Sequence, residues 1–367
     1  MKIAMLGLRA PWGVEGGVEA AVAALAPRLV AAGCEVTVYC RTRYNPHGTS
    51  VREGVRLVDV GTTYGRASEA LIHTLLCAPR AARGHDIVHI HACGPALFAP
   101  VPRALGRKVV VTLHGEDWQR EKWGPIARGV LRAGAEIGGR NADKVIAVSA
   151  GLAAWAQRFG PNRAVHIPNG VVPHEPVAWD HSVFPMLQPG GYHLFLGRLV
   201  PEKGLDLLVE AARHHRGAPL VITGGASHTD GWVSRLRDSA PANVIFVGSR
   251  FDLEKRMLLT HARSFLLPSR TEGMPVALLE AMAAGLPVLA SGIAPVREAL
   301  GDTGVIVAPE PAAWTAALTA IERHSEDQRR ALGAAGRERV QRNFTWDRAV
   351  AAHLEVYRQV YCGSDIP

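Results

Sequence analysis

Two consecutive doubly wound α/β domains are what this sequence predicts, and three observations predict them. The 367 residues are enough for two domains of ordinary size, each with its own core. Short apolar runs alternate with amphipathic stretches along both halves, the signature of strand–helix–strand units around parallel sheets. One proline-rich, non-periodic stretch, 172–191, interrupts the alternation near the middle and reads as an interdomain linker. The expected domains are therefore 1–172 and 190–345, Rossmann-like and facing each other across a cleft that holds the ligand, with one more helix at 346–361.

Taken in order, the apolar runs of the first half predict strands at 2–6, 35–40, 86–90, 108–113, 144–148 and 164–167. Helical periodicity fills 17–32, 67–83, 125–140 and 150–159. After the break, strands are expected at 192–196, 219–223, 243–247, 264–267, 287–290 and 304–307. Helices are expected at 202–214, 232–239, 253–261, 275–284, 311–323 and 327–342.

Composition removes several function classes. Hydrophobic residues at 48% and charged residues at 20% describe an ordinary globular chain rather than a disordered one. The most apolar stretch, 20–33, is broken by Pro27 and Arg28 and falls short of the roughly 18 residues of a membrane span. The start of the chain runs directly into a strand, without a secretory leader layout. Five scattered cysteines with no CxxC pair argue against a disulfide framework or a zinc knuckle and suit a reducing cytoplasm. The first 175 residues carry the whole +8 excess of charge. That asymmetry points either to an anionic partner (nucleic acid, membrane surface or phosphorylated substrate) or simply to solubility.

The residues that carry chemistry fall on loops after strands, where doubly wound sheets bind ligands. The first strand leads to Gly16-Gly17, which opens a helix; such a pair lets a phosphate approach backbone amides, or merely makes a tight turn. No GxGxxG dinucleotide fingerprint is present. The strand at 108–113 ends in His114-Gly115-Glu116-Asp117-Trp118, an imidazole and two carboxylates at a strand edge. His89 and His91 lie on one face of their strand, but no further ligand follows at metal spacing, so positioning or packing is their expected role. The loop Gly197-Arg198-Leu199-Val200-Pro201-Glu202-Lys203-Gly204 offers a guanidinium fork and a point charge to a diphosphate. Pro268-Ser269-Arg270-Thr271-Glu272-Gly273-Met274-Pro275 precedes a helix that carries Glu280; two carboxylates so placed grip sugar or ribose hydroxyls.

With these motifs in place, the chain resembles the retaining glycosyltransferases of the GT-B fold, family four, including bacterial exopolysaccharide and rhamnosyltransferase-like members. The resemblance covers nearly the whole sequence. It rests on Glu15-Gly16-Gly17, His114, Pro168-Asn169-Gly170-Val171, Gly197-Arg198 with Glu202-Lys203-Gly204, and above all the Glu272-Gly273-Met274-Pro275 start of the segment to Glu280. It implies that Arg198 and Lys203 hold a donor diphosphate, approached by Gly16 and Gly17. It implies that Glu272 with the Gly273 and Met274 amides and Pro275 holds the transferred sugar, Glu280 the ribose, and Gly248 to Arg250 the base. His114 would touch the sugar near the reaction centre. The 346–361 helix would cross back onto the first domain, which binds the acceptor; Glu116, Asp117, Trp118, Arg120 and Lys122 are the acceptor-side candidates. Two spots depart from the family pattern: Thr223-Gly224-Gly225-Ala226, where Gly-x-Gly is usual, and Gly292-Ile293-Ala294-Pro295, where paired glycines are usual.

The functional expectation is a metal-independent, retaining hexosyl transfer from a nucleotide-diphosphate sugar to a glycan or lipid-linked acceptor, with no cofactor, in surface polysaccharide or glycolipid synthesis. The expected place is the cytoplasm, at the inner face of an anionic membrane. The competing readings are a nucleotide-sugar epimerase of the same fold, a catalytically silent nucleotide-sugar binder, or a basic nucleic-acid- or membrane-binding protein. Only 6% aromatic residues and no recognition motif speak against nucleic acid.

Overall fold

The computed structural model describes residues 1–363 except 15, 64, 66–67, 121–122 and 227–228. The chain divides into two compact units: Met1–Gly170 together with the chain from Trp346 onward, and Val171–Thr345.

The first unit is built on β1 (Lys2–Leu6), α1 (Gly17–Ala31), β2 (Glu35–Arg41), β3 (Ser50–Arg52), β4 (Val55–Val60), α2 (Glu69–Gly84), β5 (Ile87–His91), α3 (Pro100–Ala104), β6 (Lys108–Leu113), α4 (Pro125–Asn141), β7 (Lys144–Ala147), α5 (Ala150–Ala156) and β8 (Ala164–His166). The sheet order is β3-β4-β2-β1-β5-β6-β7-β8. All pairings are parallel except β3 with β4. β1 is central and covered on both faces, so Ile3, Ala4, Met5 and Leu6 are all fully buried. On α1, Val22, Leu25, Ala26 and Leu29 recur at helical spacing and turn one stripe into the core. The final helix, Trp346–Cys362, adds Trp346, Val350, Val356, Tyr357 and Val360 to that same core.

The β3–β4 hairpin is absent from the sequence expectation. It turns at Glu53-Gly54, both with positive φ (51° and 75°), which suits a tight two-residue hairpin turn. The alternation Val55, Arg56, Leu57 supplied a period-2 signal too short to stand out from the surrounding charges.

The second unit contains β9 (His193–Leu196), α6 (Leu205–His214), β10 (Leu220–Thr223), α7 (Asp230–Asp238), β11 (Val244–Gly248), α8 (Asp252–His261), β12 (Ser264–Leu267), α9 (Val276–Ala283), β13 (Val288–Ser291), α10 (Ala294–Leu300), β14 (Val305–Val307), α11 (Pro311–Arg323) and α12 (Glu326–Asn343). Its sheet, β11-β10-β9-β12-β13-β14, is wholly parallel. The order reverses at β9/β12, as it does at β1/β5 in the first unit. Loops leaving the strand ends at such a reversal diverge and leave a crevice.

The stretch 172–191 is not a free linker but part of the second unit. Phe184 and Leu187 are buried at 2% exposure. Thr260 Oγ1 bonds His174 Nε2 at 2.9 Å and accepts from Val177 N at 3.2 Å, while His261 Nε2 lies 2.7 Å from Val177 O. Its prolines deny it a strand ladder, so the side chains of α8 satisfy its backbone instead.

Candidate functional site

In the second unit the two loops at the sheet reversal are pressed together by glycine. Gly204 closes the β9 loop in the left-handed region (φ 68°), and a Cβ there would lie 2.1 Å from Pro268 O of the β12 loop. Gly224 (φ 146°) approaches Gly197 so closely that a Cβ would lie 1.8 Å from its carbonyl oxygen. The departure from Gly-x-Gly at 223–226 thus keeps its glycine where the two backbones touch. Arg270 laces the loops: its amide donates to Glu202 O (2.8 Å), and its guanidinium to Pro201 O and, in a fork, to Asp206.

This frame brings Lys203 to Glu272. Lys203 Nζ donates to Glu272 Oε1 at 2.5 Å, and Ser269 Oγ donates to the same oxygen at 2.7 Å. The pair is largely shielded, with 15% and 10% side-chain exposure. Arg198, half-buried, stands on the same loop between amides that bond Thr223 O and Gly225 O. Gly273, Met274 and Pro275 are buried and lead into α9, whose start has no side-chain cap. Pro275 is the residue before the first turn rather than within it. Such a helix start favours an anion through its free amides and dipole.

Glu280, on α9, is apart from that pair and binds Lys255 Nζ of α8 at 2.8 Å. Sequence reading had no means to single out Lys255, an ordinary helix lysine until the fold sets it opposite a carboxylate. Arg250 turns to its own neighbourhood: Nε donates to Val247 O, Nη1 meets Glu254 at 3.2 Å, and the guanidinium lies over Phe184. Gly248 (φ 74°) has open space where a side chain would be, and its carbonyl accepts from Gly224 N and Thr223 Oγ1. An open recess of about 490 Å³ lies there, lined by Gly224, Gly225, Asp230, Arg237, Gly248 and Ser249.

In the first unit His114 leaves β6 and its Nε2 lies 3.0 Å from His91 Nδ1. His91 stacks on His89 at 4.1 Å between ring centroids. His89 is held between Tyr357 Oη (2.7 Å) of the final helix and Thr112 Oγ1 (2.6 Å). The strand histidines are therefore supports in a row joined by ring contacts and hydrogen bonds, and they form no metal cluster among the described residues. Burial holds His114 and His353 neutral, each pushed down to about 4; Asp117 opposes the shift at His114 and Ala349 O at His353. A cavity of about 10 Å³, enough for one water, is lined by His91, Thr112, His114, Asn169 and His353, among others. Asn169 of the Pro168-Asn169-Gly170 motif thereby joins His114.

The turn beyond His114 gathers the acceptor-side candidates. Asp117 pairs with Arg120 at 3.0 Å, Trp118 stacks on Trp155 at 4.8 Å, and burial raises the carboxyl of Glu116. Lys122 lies outside the described residues. Trp155, on α5, was not anticipated.

Gly17 opens α1 with space around it, while Gly16 is crowded. A Cβ on Gly16 would lie 1.9 Å from Glu19 Oε2. Glu19 is buried in the first turn of α1 and accepts from Arg9 Nε at 2.9 Å. Burial works against its charge, but Arg9 outweighs that and holds the carboxyl below its ordinary range. A second buried pair, Arg41–Glu69 at 3.1 Å, is electrostatically coupled to the first. This four-residue network was not legible, because its partners come from four separate elements or loops.

Comparison with known proteins gives the chain its family. The profile described as "Glycosyltransferase Family 4" matches residues 15–175, and that described as "Glycosyl transferases group 1" matches 191–324. An alpha-maltose-1-phosphate synthase of Mycolicibacterium smegmatis is 30% identical, covering 98% of this chain and 100% of that protein. A GDP-mannose-dependent alpha-(1-6)-phosphatidylinositol monomannoside mannosyltransferase of Mycobacterium tuberculosis is 33% identical over 75% of this chain and 76% of its own length. Among solved structures, a sucrose-phosphate synthase from Thermosynechococcus elongatus superposes with a TM-score of 0.82 at 23% identity, covering 98% of this chain and 99% of that one. Anabaena HepE in complex with UDP-glucose does so with 0.77 at 16% identity, covering 98% and 100%. The fold is that of the GT-B glycosyltransferases, and the chain is a glycosyltransferase belonging to family 4.

Proposed function

We propose that this glycosyltransferase moves a hexose from a nucleotide-diphosphate donor to an acceptor hydroxyl with retention of configuration and without a metal ion. The observation that carries the reading is the Lys203–Glu272–Ser269 cluster at the strand reversal of the second unit. A diphosphate arriving there meets Arg198, Lys203 and the uncapped start of α9. These groups stabilise the charge that grows on the leaving phosphate, the work a divalent cation does in metal-dependent transferases. When Lys203 turns to phosphate, Glu272 is released to accept from sugar hydroxyls, with the Gly273 and Met274 amides beside it. Glu280, with Lys255, is assigned to the ribose, and the recess at Gly248 to the base. The route assigned is a front-side one, with the departing phosphate taking the acceptor proton, rather than a double displacement through a second carboxylate.

In the first unit the acceptor-side assignment goes to Glu116, Asp117, Trp118 and Arg120. His114, held neutral, offers a hydroxyl a hydrogen bond rather than a charge. The similarity to a GDP-mannose-dependent phosphatidylinositol monomannoside mannosyltransferase supports a cell-surface glycan or glycolipid as product.

The test is nucleotide-diphosphate release from UDP-, GDP-, dTDP- and ADP-sugars. Release from one donor, unchanged by EDTA and abolished in Glu272→Ala, with an anomeric centre of unchanged configuration by NMR, is the expected result. Dependence on added magnesium or an inverted product would overturn it.

The charge asymmetry supports an anionic, lipid-linked acceptor at a membrane surface, although no described helix is long and apolar enough to cross a membrane. Sedimentation with vesicles containing anionic lipid should exceed that with neutral vesicles by about 10-fold at low salt, and fall at high salt. Equal binding to both would remove the membrane from the proposal.

A further inference from the structure

At the edge of the second unit opposite the donor loops, three side chains converge without a part in the reading above. His193 is the first residue of β9 and fully buried; His215 follows α6 and is 2% exposed; Glu322 stands in the last turn of α11. His193 Nε2 lies 3.0 Å and His215 Nε2 3.8 Å from Glu322 Oε1, and the three ligand atoms all lie within 4.8 Å of one another. Tetrahedral zinc with two imidazoles and a carboxylate needs ligand atoms about 3.3–3.6 Å apart, given bonds of about 2.0–2.2 Å. The observed spacings bracket that range.

Two further features point to a ligand. Neither ring nitrogen of His215 makes a hydrogen bond, although the ring is buried and the Ala218 backbone lies close. A buried imidazole left with both nitrogens unsatisfied is unusual, and a cation would satisfy one of them. The other two groups are already held from outside. His193 Nδ1 lies 2.8 Å from Ser264 Oγ, Ala218 N donates to Glu322 Oε1 at 2.8 Å, and Arg263 Nη1 donates to Glu322 Oε2. Such outer contacts orient the ligands of protein metal sites. Gly217 leaves the space, for a Cβ there would lie 2.6 Å from Glu322 Oε1 and 2.8 Å from His215 Cε1. Glu322, 19% exposed, is the side from which an ion and a completing water would enter.

We propose that His193, His215 and Glu322 form a binding site for a zinc-class divalent cation that clips the turn after α6 and the end of α11 to the start of β9. The site lies at the strand starts and touches no donor group, so its role is structural and leaves the metal-independent donor chemistry intact. The Arg263 charge faces the site and limits how tightly a cation is held.

The test uses the full chain stripped with EDTA and re-supplied with zinc or cobalt. The expected result is about one equivalent of metal retained on dialysis, a melting temperature raised by about 5 °C, and visible cobalt d–d absorption of tetrahedral type. His215→Gln should lose the metal, the shift and the absorption while donor hydrolysis continues. Glu322→Gln should do the same if it folds, and His214→Gln, its exposed neighbour, should change nothing. Because neither ring nitrogen of His215 is held by a hydrogen bond of good geometry, its variant removes little but the ligand and is the decisive one. No metal on the wild-type chain, or undiminished metal on His215→Gln, overturns the site.

Discussion

Lys203→Ala is expected to lower donor turnover by about 10²–10³-fold, the usual loss when one preorganised charge is removed from a leaving group. The substitution has a second consequence that must be separated from the first. Glu272, only 10% exposed, would keep Ser269 as its remaining side-chain partner at Oε1 among the described residues. Leaving it so costs stability of about 1–3 kcal/mol. Glu272→Gln removes the charge while keeping the shape, so the double variant Lys203→Ala/Glu272→Gln should recover stability. It should not recover turnover. Urea unfolding alongside steady-state donor hydrolysis for the wild type, both singles and the double completes the cycle. If the double variant regains both stability and activity, Lys203 only neutralises Glu272 and the diphosphate assignment to it fails.

Acid should unfold the first unit well before the chain as a whole reaches its carboxylate range. Burial pushes His73, His114 and His353 down to about 4 and holds His89 and His91 well below their ordinary value, while a histidine in the unfolded chain titrates near 6.5. Between those values the unfolded state binds protons that the folded state refuses. Stability is therefore whole above about pH 7 and drains away as pH falls from 6.5 towards 4. One such group acting alone contributes on the order of 3 kcal/mol over that window. The four coupled histidines of the row sum to less than four times that, yet with the separate His73 the total is comparable with the 5–15 kcal/mol that holds a domain folded. Hydrogen exchange followed by mass spectrometry at pH 7, 5.5 and 4.5 locates the loss. Protection in Ile87–His91, Lys108–Leu113 and Trp346–Cys362 should fall first. Uniform protection at pH 4.5 would mean that the row takes up protons without opening.

The strands and the loops after them were legible because two independent regularities coincide there. Apolar runs such as Lys108–Leu113 mark the strand, and an abrupt change to His114-Gly115-Glu116 marks its functional end. Lys203 and Glu272 could be paired from the sequence only through a family resemblance; Gly204 and Gly224 are the physical reason their loops meet. What stayed hidden shares one property: partners distant in sequence with nothing local to announce them. Arg9–Glu19 beside Arg41–Glu69, Lys255–Glu280, and His193–Glu322 all belong to this class. The 172–191 segment was misread for a different reason, since prolines remove the ladder by which packed chain is recognised but do not prevent packing.

The return of the last helix to the first unit has a consequence for how the protein is made. β1 to β8 leave the ribosome before the second unit, yet the core they surround stays short of Trp346, Val350, Val356, Tyr357 and Val360 until the Trp346–Cys362 helix emerges. The second unit, continuous from Val171 to Thr345 and closed at its ends by the Val171–Thr345 bridge, is delivered whole in between. Of the two units, the one begun first is thus the one completed second. During that interval the groove along α1 awaiting the helix is the nascent chain's exposed apolar surface, and the place where a chaperone would be needed.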